Sequence, residues 1–197
     1  MILKPEIVDH KNFVKILPRL ETKHIVVHCS ATENKPEYGW KAVDRWHRQQ
    51  GWLMCGYHFV IRTDGTIEKG RDLEAIGSHV KGHNDNSVGI CLIGGLDSNG
   101  KSVDNFTTNQ YSSLRALIDY LLSVYMDSDV LGHRDFANVA KDCPCFDVKS
   151  WYGIPPKYIQ FTTWEDLEEV CKTPKSYLKA LNGDTLEFEY GETIRVA

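Results

Sequence analysis

The chain has 197 residues, of which 42% are hydrophobic and 25% are charged, a composition typical of one well-packed globular domain plus a small appendage. Its net charge is -4, whereas a nucleic-acid-binding protein usually carries a basic excess, so we expect no nucleic acid as the main ligand. No run reaches the ~18 apolar residues of a membrane helix, so we also expect no membrane association.

Residues 1–23 are predicted to form an N-terminal arm. Pro5, Glu6 and Asp9 occupy the positions where a signal peptide has its apolar core, so we expect no signal peptide and synthesis in a cytoplasm. Cytoplasmic thiols are normally reduced, and the six cysteines show irregular spacing without a CxxC pair. The cysteines are therefore predicted to be buried or to bind metal, and not to form a disulfide framework.

The middle of the chain alternates between strand and helix patterns. Short apolar runs predict strands at 24–29, 57–61 and 87–93, and the turn at 63–66 predicts a hairpin that returns through 67–69. Helical spacing predicts one helix over 40–50, which stops at Gly51, and a second from Thr107 or Thr108 to about Tyr125. A last short strand, 130–132, leads into His133.

This alternation predicts an α/β fold with a mixed central β-sheet flanked by helices. Pro155 and Pro156 mark a boundary, so we assign residues 24–156 to the main domain and 157–197 to a small C-terminal α+β appendage. The appendage has five Lys/Arg against eight Asp/Glu, so it carries -3 of the chain's net charge of -4.

Three residues from distant segments are candidate metal ligands. His28 and His133 each follow an apolar strand, where a side chain can project from the edge of a sheet, and Cys143 follows His133 with nine residues between them. Spacing alone is weak evidence, because a single histidine at the end of a strand is more often structural. The residues by themselves leave both interpretations open.

The sequence around these residues resembles that of the type 2 N-acetylmuramoyl-L-alanine amidase family. The resemblance is strongest to the amidase-type endolysins of T-odd bacteriophages and more distant to peptidoglycan recognition proteins. The similarity covers about residues 25–151. In family order, the matching segments are VHCSAT (27–32), WHRQQGWLMCGYHFVI (46–61), DGTIEKGRD (64–72), IGSHVKGHNDNSVGICLIGG (76–95), GHRD (132–135) and KDCPCFD (141–147). So many matches in order are far more specific than any one motif.

The resemblance implies a zinc amidase, with one Zn²⁺ bound by His28, His133 and Cys143 and with Tyr57 and Lys141 as catalytic residues. The implied reaction is hydrolysis of the amide between the lactyl group of N-acetylmuramic acid and L-alanine. Cys143 matches the K-x-C-P pattern, whereas Cys145 stands where serine is familiar and is a second candidate thiol. His79 is a candidate for contacting substrate or the transition state, with a structural role as the alternative.

The implied partner is bacterial peptidoglycan, and the protein is expected to be a monomer. We expect synthesis in the cytoplasm of a phage host and action on the cell wall after a partner permeabilises the membrane. Two alternatives are a non-catalytic peptidoglycan-binding protein and a regulator of a phage RNA polymerase.

The sequence of the C-terminal appendage predicts a strand, two helices and a strand, which resembles a LysM cell-wall-binding module. A role in packing or subunit contact is the alternative.

Overall fold

The structure is a computed structural model that describes residues 4–9, 16–137, 139–153, 157–160 and 193–196. The chain divides into two compact units, Met1–Gly153 and Ile154–Ala197. Within the described ranges, none of the helices combines the length and the apolar character that crossing a bilayer requires.

The first unit is built on a six-stranded mixed sheet. Its strands are β1 (Ile7–Val8), β2 (His24–Cys29), β3 (Phe59–Ile61), β4 (Ile67–Lys69), β5 (Ser87–Leu92) and β6 (Asp129–Gly132), in the order β1-β4-β3-β5-β2-β6. Among the described strands of this sheet, β3 and β4 are the one antiparallel pair, and they form the hairpin expected from the sequence. The predicted α/β class with a mixed sheet is confirmed.

The two central strands, β2 and β5, are apolar along almost their whole length. They pair in parallel from His24↔Ser87 to Cys29↔Leu92, and every residue of β5 is buried. Strands covered on both faces lack the polar alternation of a half-exposed strand, which explains the continuous apolar runs in the sequence.

Helices cover both faces of this sheet. They are α1 (Trp40–Gln49), α2 (Thr108–Val124) and the short α3 (Val148–Gly153). On one face Ile25 and Val27 pack with residues of α2 and with Val148 of α3. On the other face Val60 and Cys91 pack with Val43 of α1. Because side chains alternate along a strand, His28 faces the α1 side.

The observed boundaries differ from the expectations in two places. Regular strand β3 begins at Phe59, so Tyr57 and His58 precede it, although their backbone groups still bond to Arg71, Gly70 and Gly89. In the predicted arm, Ile7–Val8 pairs in parallel with β4 and so joins the edge of the central sheet.

The second unit contains two described strands, β7 (Lys157–Gln160) and β8 (Thr193–Val196). They pair antiparallel, with Lys157 opposite Val196 and Gln160 opposite Thr193. The sequence predicts the opening and closing strands of the appendage at 158–161 and 191–196, and the two observed strands overlap these ranges. The two helices predicted between them lie outside the described residues, so the LysM resemblance stays a prediction.

Candidate metal centre

Three side chains from different segments converge at one end of the sheet. His28 lies near the end of β2, His133 begins a 3-10 turn directly after β6, and Cys143 lies in the loop that follows. One ligand atom from each residue lies within 4.8 Å of the other two. The Sγ of Cys143 is 3.8 Å from the Nδ1 of His28, and the rings of His28 and His133 are 4.5 Å apart between centroids.

Strand pairing explains why the two histidines meet. Strands β2 and β6 are parallel and in register, with Val27 opposite Gly132, so the following residues, His28 and His133, leave adjacent strands at the same edge. Neighbouring strands lie about 4.8 Å apart, so the two histidine side chains start close enough together to reach one ion.

Hydrogen bonds hold the loop that carries Cys143 against these strands. The backbone N–H of Arg134 donates to the carbonyl of Cys143 at 2.8 Å, and its guanidinium forms an ion pair with Asp142 at 2.6 Å. The N–H of Cys29 donates to the Sγ of Cys143 at 3.3 Å. Cys143 is therefore held through its carbonyl by Arg134 and through its sulfur by Cys29. The sequence analysis did not identify these contacts. The ion pair could have been inferred from the sequence, because Arg134 and Asp142 are opposite charges in the same short segment.

The electrostatics favour the metal-binding forms of both histidines. Burial, the neighbouring His133 and the Lys141 ammonium lower the pKa of His28 well below its ordinary value. Burial, followed by Lys141, also lowers the pKa of His133. Both imidazoles are therefore neutral at pH 7 and can offer a lone pair. Two neutral imidazoles and one thiol are a donor set that fits Zn²⁺.

The second candidate thiol points elsewhere. The Sγ of Cys145 donates to the carbonyl of Gly95 at 3.2 Å and lies 3.8 Å from the Sγ of Cys29. Burial, together with the Cys29 thiol, raises the pKa of Cys145 to about 12, so this thiol stays protonated. Among the described residues, Cys143 and not Cys145 belongs to the group that could bind a metal ion.

Tyr57 and Lys141, expected to be catalytic, both lie close to this group. The ring of Tyr57 is 5.1 Å from that of His28. Burial and the surrounding thiols raise the pKa of Tyr57 well above 10, so its phenol is a hydrogen-bond donor at neutral pH and not a base. Lys141 is exposed, and its charge acts on both His28 and His133.

His79 lies behind His28. The residue is 9% exposed, and its Nδ1 is 3.0 Å from the Nε2 of His28, the ring nitrogen that does not face Cys143. Burial, followed by the nearby His28, lowers the pKa of His79 well below its ordinary value. Its predicted contact with substrate stays a prediction, whereas its contact with a candidate ligand is visible.

Comparisons with known proteins agree with this geometry. Residues 18–146 match the family model described as N-acetylmuramoyl-L-alanine amidase. An endolysin of Enterobacteria phage T3 is 50% identical over 139 residues, which span 71% of this chain and 91% of that protein.

Solved structures share the fold. One is an endolysin N-acetylmuramoyl-L-alanine amidase from Clostridium intestinale, with a TM-score of 0.61 and 28% identity, covering 88% of this chain and all of that one. A bumblebee peptidoglycan recognition protein, PGRP-SA, has a TM-score of 0.61 at 20% identity, covering 77% and 95%. At that identity the second similarity concerns the fold alone. Motifs, site and fold therefore lead to one conclusion, that the chain belongs to the N-acetylmuramoyl-L-alanine amidase family.

Proposed function

We propose that the protein is a zinc-dependent endolysin that cleaves the amide between the lactyl group of N-acetylmuramic acid and L-alanine. The observation that carries the proposal is the convergence of His28, His133 and Cys143 from three separate segments within 4.8 Å. A structural role would not require two histidines and a thiol to meet at the open end of a sheet. The first of these residues is 1% exposed, whereas the other two are partly accessible.

Amide hydrolysis needs an activated water and stabilisation of the negative charge that develops on the carbonyl oxygen. When bound by these three side chains, zinc supplies a Lewis acid and favours ionisation of water near neutral pH. The thiolate of Cys143 offsets part of the ion's charge, and the N–H of Cys29 stabilises that thiolate by donating to its sulfur.

The charge on the carbonyl oxygen is stabilised by Lys141 and Tyr57. The ammonium of Lys141 is exposed and can approach a bound substrate, while its field reaches both histidines. The protonated phenol of Tyr57, held beside His28, donates a hydrogen bond. Donors preorganised in a partly buried site stabilise the transition state more than water does.

The proposed setting is a phage-infected bacterium, with synthesis in the host cytoplasm and action on the peptidoglycan after the membrane is permeabilised. The endolysin of phage T3, similar over 91% of its own length, supports this setting. We propose that the enzyme acts as a monomer, since all three candidate ligands come from one chain.

The matched pair Cys143→Ser and Cys145→Ser tests the metal centre. We expect the wild-type protein and C145S to hold one zinc per chain, and C143S to lose zinc and nearly all hydrolysis of a muramyl-peptide. Metal analysis and mass spectrometry of the products measure both. A metal-free wild-type protein with full activity, or C143S that keeps zinc while C145S loses it, would contradict the assignment.

A further inference from the structure

Behind the candidate metal centre, three hydrogen bonds run in series through buried polar groups. The Nε2 of His28 is 3.0 Å from the Nδ1 of His79, and the Nε2 of His79 is 3.4 Å from the Oγ of Ser87. The Oγ of Ser87 in turn donates to the backbone carbonyl of His83 at 2.5 Å. Ser87 is fully buried.

The last acceptor fixes the direction of the whole series. A carbonyl oxygen can only accept, so the Ser87 hydroxyl uses its one proton on His83 and must accept from the Nε2–H of His79. The Nδ1 of a neutral His79 then carries a lone pair, which accepts from the Nε2–H of His28. The remaining nitrogen of His28, Nδ1, is left unprotonated, and this is the atom 3.8 Å from the Sγ of Cys143.

We propose that His79 and Ser87 are positioning residues that hold His28 in the one tautomer able to offer Nδ1 to a metal ion. The inference deepens the zinc-dependent function proposed above and rests on it. Neither residue touches substrate in this role; both act through His28. Partners of this kind set the tautomer and orientation of a metal-binding histidine in general.

The surroundings of His79 leave its ring little room to turn away. A Cβ at Gly77 or at Gly89 would come within 2.5 Å or 2.6 Å of the ring, so both positions must be glycine for the ring to lie there. The backbone N–H groups of His79 and Val80 both donate to the Oδ1 of Asn84, which fixes the turn from which the ring projects. The acceptor for His28 is thus preorganised before any metal binds.

Three variants separate this role from simple packing. His79→Leu fills the site but removes the acceptor, whereas His79→Asn is smaller and keeps an oxygen that can accept from His28. Ser87→Ala removes only the end of the series. We expect H79L to weaken zinc binding by about 10–100-fold, H79N to bind nearly as tightly as wild type, and S87A to lie between them.

The measurement is the zinc dissociation constant of the folded protein, obtained by competition with a chelator, with circular dichroism as the check on folding. His58→Asn is the matched control, because His58 is fully buried 5.8 Å from the ring of His79 and accepts from Gly89 without bonding to a candidate ligand. H58N should keep the wild-type zinc affinity. If H58N weakens binding as much as H79L, or if H79N binds worse than H79L, the packing role is correct and the proposal is overturned.

A second readout needs no substitution. Nitrogen-15 NMR of the wild-type protein before zinc is added should report His28 and His79 as Nε2–H tautomers. A His28 that carries its proton on Nδ1 would overturn the proposal. Failure of wild-type protein to bind zinc at all would instead contradict the proposed metal function, so the two failures are distinguishable.

Discussion

At the scale of single residues, burial sets the protonation states of the side chains in the site, and these states suit different roles. Burial keeps His28 and His133 neutral, so that they can bind metal, and keeps the phenol of Tyr57 protonated, so that it can donate. Lys141 is exposed, and its side chain acts electrostatically on both histidines. In the proposed mechanism, one partly buried donor and one solvent-facing cation would act on the same substrate oxygen.

Replacing either donor should reduce hydrolysis without removing the metal. We expect Tyr57→Phe and Lys141→Ala each to lower turnover by about 10²–10³-fold while zinc content stays at the wild-type level, because each loses a transition-state donor and no ligand. Turnover on a muramyl-peptide and metal analysis of the same preparations measure the two effects.

Tyr38→Phe and Lys149→Ala are the matched controls. Tyr38 packs on Trp46, and Lys149 is exposed on α3. Both controls should keep near wild-type turnover. A Y57F or K141A enzyme that also keeps it has no catalytic role at that position, and loss of zinc in either variant would indicate a structural role instead.

At the scale of elements, the start of α2 is fixed to the sheet edge near the site by one buried side chain. The Nε2 of Gln110 donates to the carbonyls of Ile93 and Ile61 at 2.8 and 3.3 Å, just after β5 and at the end of β3. Its Oε1 accepts from the N–H of Thr107, while the Thr107 hydroxyl accepts from the N–H of Gln110, so the same residue completes the helix cap.

Gln110→Ala should therefore be costly. It removes the side-chain donor to the carbonyl of Ile93, whereas the carbonyl of Ile61 keeps the N–H of Ile93 as a second donor. Because buried polar groups lose a partner, we expect the free energy of unfolding to fall by about 1–3 kcal/mol. Urea unfolding measures this change. Asn109→Ala, at an exposed position one residue earlier on α2, should change it little. Equal stability of the two variants would mean that Gln110 does not anchor the helix.

At the scale of the whole molecule, buried histidines make stability depend on pH. Burial lowers the pKa of His58 to about 3, against about 6.5 in the unfolded chain. Between these values the unfolded state binds a proton that the folded state does not, so the free energy of unfolding falls as the pH drops from about 6.5 toward 3.

His58→Asn should flatten this dependence. From pH 7 to pH 5, one such histidine accounts for a loss of about 2 kcal/mol, which the variant no longer suffers. Urea unfolding at both values measures it, and the wild-type protein should lose more stability than H58N. An identical loss in both proteins would show that folding does not lower the pKa of His58.

The two compact units predict separable roles. If residues 157–197 bind the cell wall, deleting them should leave turnover on a small muramyl-peptide nearly intact and weaken binding to insoluble peptidoglycan. Sedimentation with purified walls measures the binding. Equal wall binding with and without the segment would refute the anchoring role, and unfolding of the shortened protein would favour packing. Regulation of a phage RNA polymerase stays a prediction, to be tested by co-purification.

The sequence by itself was enough for features that depend on neighbouring residues. The apolar runs of β2 and β5, the hairpin of β3 and β4, and the capped amphipathic helix α2 follow from local periodicity and turn chemistry. The sequence motifs were likewise enough to identify the family and to select His28, His133 and Cys143 as candidate ligands.

Only the tertiary structure decided how distant segments meet. It turns Cys143 toward His28 and Cys145 toward Gly95, although the two thiols are two residues apart. It also places His79 behind His28, and joins Ile7–Val8 to the edge of the sheet. The physical reason is that each arrangement depends on register and packing between residues some 50–115 positions apart, and no local pattern encodes such pairings.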